Sequence, residues 1–189
     1  MLQSISSESI AMTVCRGLLV AASLIVVSIS DFTYAADVVP LDTVDHAGVV
    51  AAVRDGKGTV VVLDCWSTSC PPCVKEFPKL VALQKKYGRS VTCLSLSLDY
   101  EGIGTVDEIL PPVRTFLESQ RAMFRNLLAS EDSDTMCRKL GIVSVPAVFV
   151  WGKDGELAKQ FDDDMAAKTL GRPFTYADIE AVVKECLAR

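Results

Sequence analysis

Two cysteines separated by two prolines, Cys70-Pro71-Pro72-Cys73, are the residues of this chain whose type and spacing most directly spell chemistry. Thiols two residues apart can close a disulfide and reopen it by thiolate exchange, can supply half of a zinc site, or can form a fixed structural bridge. The zinc option lacks partners, because there is no second such pair and the single histidine, His46, lies well upstream; His46 reads as a partly exposed helix residue rather than a base or a ligand. A carboxylate precedes the pair. Asp64 is the one charged residue in the apolar run Val60–Trp66. If buried there, its pKa would rise and it could take a proton from Cys73; the plainer alternative is that it begins to face solvent near the end of its strand.

The elements on either side must position these groups. Val60–Trp66 reads as a buried strand, rich in Val and Leu without polar alternation. After Cys73 the apolar residues Phe77, Leu80, Val81, Leu83 and Tyr87 recur at helical spacing. The cysteine pair therefore sits at a strand-to-helix junction. There Cys70 meets the unpaired N–H groups and positive end of a helix, which favour thiolate, and Cys73 lies one turn further in, able to reach back. Pro71 and Pro72 lack N–H groups that a first turn leaves unpaired anyway, and they stiffen the ring. Strand parity puts Val62, Asp64 and Trp66 on one face and Leu63 and Cys65 on the other. Pro78 is expected to bend or break the helix, and Gly88 to close it.

Elsewhere, Asp37–Leu41 reads as a tether or edge segment and Thr43–Arg54 as a helix capped by Asp42 or Thr43. A strand over Val91–Leu98 follows the central helix, an order that argues for a parallel crossover. Beyond the Gly-rich connection from Asp99, Pro111-Pro112 opens or interrupts a helix ending near Arg121. Met123–Ala129 contains a short strand, and Ser130–Asp134 turns the chain into a short helix through Leu140. Ala147–Trp151, the turn Gly152-Lys153-Asp154-Gly155 and Glu156–Phe161 form a hairpin. Asp162–Pro173 reads as a loop, and Thr175 with Asp178 starts a last helix through Leu187.

With 50% apolar residues and a net charge of −5, the chain can build one domain with a sizeable core. It carries no basic run or basic–aromatic interleaving, so no nucleic-acid partner is expected. Residues 17–30 form an uncharged apolar run preceded by Arg16 and followed by Tyr34-Ala35-Ala36-Asp37. It is shorter than the roughly 20 residues of a membrane span and fits a signal-peptide core. Residues 1–36 are thus expected to be a signal peptide, with a retained anchor as the alternative and Met12 as a second possible start, and residues 37–189 the folded domain. Either option puts that domain outside the cytoplasm. Among the remaining cysteines, Cys65 and Cys93 lie in apolar strands and Cys137 and Cys186 in amphipathic helices, where a free thiol behaves as a small hydrophobe. For Cys137 a relay role stays open.

The run Val62-Leu63-Asp64-Cys65-Trp66-Ser67-Thr68-Ser69-Cys70-Pro71-Pro72-Cys73, continued by Val74-Lys75-Glu76-Phe77-Pro78, resembles the thioredoxin superfamily and, within it, the exported TlpA/ResA-like thiol-disulfide oxidoreductases. A second match lies at Gly141-Ile142-Val143-Ser144-Val145-Pro146-Ala147, and the segment between Asp99 and Leu140 looks like the central insertion of that subfamily. The resemblance implies an α/β thioredoxin-like fold with a central mixed β-sheet flanked by helices. It implies Cys70 as the attacking sulfur, Cys73 as the resolving one and Asp64 beneath it, with a cis Val145–Pro146 bond against the cysteine turn. Trp66, Pro71, Pro72, Val145 and Pro146 would then form the substrate-binding surface, Trp66 as a platform or else as core. No cofactor or metal is implied. The implied partners are exported protein thiols or disulfides and a membrane-bound electron donor or acceptor, and a monomer is expected. Two departures stand out: Cys65 replaces an aromatic residue, and Ser69 sits where many relatives place Trp, so the groove at Cys70 is expected to be more open. A thiol oxidase or isomerase, a non-catalytic binding module and a peroxiredoxin-like peroxidase share this fold; the last places Thr three residues before its cysteine, where this chain has Ser67.

Overall fold

The computed structural model describes residues 38–189; the expected signal peptide or anchor lies outside the described residues. Among the described residues six strands form one sheet, β1 (Leu41–Val44), β2 (Val60–Trp66), β3 (Val91–Ser97), β4 (Arg125–Ala129), β5 (Ala147–Trp151) and β6 (Leu157–Asp162), in the order β1-β4-β3-β2-β5-β6. The pairs β1–β4, β4–β3 and β3–β2 are parallel, whereas β2–β5 and β5–β6 are antiparallel. This is a mixed sheet with β2 inside it. Buried on both faces, β2 needs the unbroken apolar run that its sequence supplies.

Among the described residues six α-helices cover the sheet: α1 (His46–Asp55), α2 (Pro71–Tyr87), α3 (Val106–Gln120), α4 (Ser133–Leu140), α5 (Asp163–Leu170) and α6 (Tyr176–Ala188). The parity of β2 divides the core in two. Val60, Val62 and Trp66 pack with Phe77 and Leu80 of α2, Val113 and Leu117 of α3 and Ile179 and Val183 of α6. Val61, Leu63 and Cys65 pack on the other face with Val49 and Ala52 of α1 and Met136 of α4. The fold is thioredoxin-like, with an inserted helical region between β3 and β5.

Several boundaries differ from expectation. Leu41–Val44 is an edge strand rather than tether and helix start, because pairing with β4 recruits it; Asp45, whose carboxylate accepts from the Gly48 N–H at 2.9 Å, caps α1 instead. Pro78 does not break α2, which runs to Tyr87. The proline is exposed, so the carbonyl deprived of a donor lies on the wet side of the helix. Likewise α3 starts at Val106, ahead of Pro111-Pro112. Thr105 donates its N–H to Glu108 at 2.9 Å in a capping box that nucleates the helix early. Residues 163–170 form a helix where a loop was expected.

Candidate active site

The register of the sheet brings the two halves of the sequence signature together. Cys65 of β2 lies opposite Ala147 of β5, so Pro146, the residue before Ala147, stands beside the end of β2 from which the chain enters the cysteine turn. The Val145–Pro146 bond is cis, and both residues are half-buried. Cys70 is the N-cap of α2, and Pro71 and Pro72 occupy its first positions, exposed to solvent. Cys70 and Cys73 are joined in a disulfide with a Cα–Cα distance of 5.3 Å. The Cys73 N–H donates to Cys70 Sγ at 3.3 Å. Such a contact favours negative charge on Cys70 once the bridge opens. The sulfurs differ in access: Cys70 is half-buried and Cys73 is 4% exposed. An incoming thiolate or disulfide therefore meets Cys70 first.

Beneath the turn, Asp64 is 5% exposed. With Pro72, Cys73, Glu76, Pro146 and Tyr176 it lines a cavity of about 140 Å³. Burial pushes the Asp64 carboxyl up to about 7, against the lowering effect of a hydrogen bond donated by the Tyr176 hydroxyl. The group can thus change protonation state near neutral pH. Glu76, on the wall of that cavity, pairs with Lys79 at 2.6 Å.

Sequence reasoning missed two parts of this arrangement. One is Tyr176, the first residue of α6; it stands one helical turn before Ile179 on the buried face, so the periodicity contained the signal. The other is Asp99. Its Oδ1 accepts from the Ser67 hydroxyl at 3.0 Å, the Thr68 N–H at 2.8 Å and the Thr68 hydroxyl, and its Oδ2 accepts from the Ser97 hydroxyl at 2.6 Å. The loop that carries the chain from β2 to Cys70 is thereby tied to the end of β3. No pattern local to Ser67-Thr68-Ser69 announces a partner so far along the chain.

Of the two readings of Trp66, platform or core, its burial fits the core: it is 0% exposed, with ring centroids 4.9 Å from Phe77 and 4.6 Å from Phe116. Parity aims it at the helix-covered face, where Phe116 of α3 closes over it. Ser69 is exposed beside the half-buried Cys70.

A model of the AhpC/TSA family matches residues 30–160. The chain belongs to the AhpC/TSA family. Within reach of this family member are ResA, a thiol-disulfide oxidoreductase of Bacillus thuringiensis subsp. konkukian, 26% identical over 67% of this chain and 68% of ResA, and the thioredoxin-like YneN of Bacillus subtilis, 24% identical over 58% and 59%. Among solved structures, a thiol:disulfide interchange protein of Chlorobium tepidum superposes with a TM-score of 0.54 at 23% identity, over 71% of this chain and 83% of that one. The thioredoxin-like fold of this AhpC/TSA member is thus shared with proteins of that kind. A Cys70–Cys73 disulfide at the mouth of α2 in such a fold supports disulfide oxidoreductase activity.

Proposed function

We propose that this protein is a thiol-disulfide oxidoreductase of the cell envelope that reduces disulfides in exported proteins, with apocytochrome c as one candidate substrate. Residues 1–36 would direct export, by a cleaved signal or a retained anchor. The supporting observation is the unequal access of the two sulfurs, Cys70 reachable and Cys73 buried over a cavity that Asp64 also lines.

In the reduced protein the Cys70 thiolate attacks a substrate disulfide, forming a Cys70–substrate bond and releasing one substrate thiolate. Cys73 then gives its proton to the Asp64 carboxylate, and its thiolate attacks Cys70 Sγ. The mixed disulfide breaks, the second substrate thiolate leaves and the Cys70–Cys73 bridge re-forms. Two electrons have passed to the substrate, and a membrane-bound dithiol donor would restore them. Pro146, which has no N–H to compete for the sulfurs, and Val145 would line the substrate's path with Pro71 and Pro72.

Two measurements test this. Insulin reduction should fall to the background of free dithiothreitol in Cys70→Ser, and unchanged turnover would remove the assignment. The potential of the Cys70–Cys73 couple against glutathione should lie towards the about −270 mV of a reductant of this fold; a value near about −120 mV would make the protein an oxidase.

A further inference from the structure

Burial pushes Asp64 towards its neutral form. It shares its cavity wall with Cys73 and Glu76 of α2 and with Asp163 at the start of α5. From the sheet it interacts with the thiols of Cys65 and Cys93. None of these is a cation. Among the described residues the one group that favours the carboxylate is Tyr176, whose hydroxyl donates to Oδ2.

The tyrosine is held in place for this. Its ring is 7% exposed in the core between α6 and the sheet. Its backbone follows directly on Thr175, whose N–H and hydroxyl both donate to Asp178 Oδ2 at 2.8 Å. The Arg172 guanidinium forks onto the same carboxylate at 2.7 and 2.8 Å. The first turn of α6 is therefore fixed from outside, and the phenol has little freedom to swing away from β2.

We propose that Tyr176 is a positioning residue for the exchange reaction: by holding one carboxylate oxygen of Asp64 it orients the acid beneath Cys73 and keeps its ionised form available at neutral pH. The assignment rests on Asp64 as the proton acceptor of Cys73 in the function proposed above. In the resolving step the Cys73 S–H bond breaks, the proton moves to Asp64, and the freed thiolate attacks Cys70; Tyr176 keeps its own proton throughout. A hydroxyl bonds a carboxylate more strongly than a neutral carboxyl. Its loss therefore makes the acid harder to ionise.

The test is titration of the full-length oxidised protein by carbon NMR of labelled Asp64, in wild type and Tyr176→Phe. The wild-type midpoint is expected near 7. The variant's should lie higher by about one pH unit, a tenfold fall in the ratio of carboxylate to carboxyl at any given pH. The pH profile of the resolving step should move by the same amount, whereas a merely structural residue would lower the rate at every pH alike. An unmoved Asp64 midpoint in the folded variant overturns the assignment. If Tyr176→Phe does not fold, the Tyr176 ring carbon bearing the hydroxyl is followed in wild type: a shift tracking the Asp64 transition supports the assignment, and a flat trace overturns it. The titrations need no substrate. Absence of exchange activity in wild type would sink the function proposed above, while an unlinked titration would sink the role of Tyr176 alone.

Discussion

Cys65 and Cys70 lie five residues apart in one continuous stretch, yet the fold gives them opposite characters. Cys65 is in the middle of the sheet, 0% exposed, and burial together with the neighbouring Asp64 charge pushes its thiol well above the ordinary value. Cys93, 1% exposed on the adjacent strand, is pushed up in the same way. Cys70 has left the strand for the mouth of α2, where an N–H points at its sulfur, a second cysteine is within bonding reach and solvent arrives from one side. Residue type is the same in all three. What separates an inert thiol from a reactive one is whether the sulfur ends up inside an element or at its open end.

The interior of the sheet and the mouth of the helix can be set against each other by substitution. The largest effect on stability is expected from Asp64→Asn. In the folded state Asp64 holds its proton to about 7, against 3.8 for the ordinary carboxyl, so the wild type loses stability as pH rises from about 4 to 7 and carries the full penalty above that. Removing the charge should stabilise the protein by up to about 4 kcal/mol at pH 8 and by little at pH 4. Urea unfolding at the two pH values checks this, and the resolving step should slow by about 10²-fold or more.

Next comes Asp99→Ala, which frees Ser67 and Thr68 and strikes the approach to the turn rather than its sulfurs. A cost of about 2 kcal/mol is expected in the same unfolding experiment, from lost hydrogen bonds to a charged group. Alkylation of reduced Cys70 should change rate as the loop loosens, while the thiol of Cys93 stays unreactive. The smallest effect belongs to Cys93→Ala. The lost sulfur should cost about 1 kcal/mol in stability and leave exchange within twofold of wild type. A large loss of exchange there would erase the distinction between sheet and helix mouth.

How much of this could be read in the chain follows from the range of the interactions. The β2 strand, the cysteine turn, the hairpin of β5 and β6 and the capping of α6 were all legible, because each is set by residues within one or two turns of one another. β1 was misread because it exists through pairing with β4, far along the chain. α5 was missed because it begins at Asp163, directly after the last residue of β6, with no connecting turn to announce it. Parity placed Trp66 on the correct face but could not reveal the lid that Phe116 of the insertion puts over it. Tyr176 and Asp64 are separated by 112 positions, and only the assembled sheet and last helix bring phenol and acid together.

The central claim is that Cys70 takes the substrate and Cys73 releases it. Reduced Cys73→Ser protein, mixed with a peptide disulfide and digested for mass spectrometry, tests this most directly. A stable peptide adduct on Cys70 is predicted, with none on Cys65, Cys93 or Cys137; no adduct, or one carried by Cys137, would contradict it.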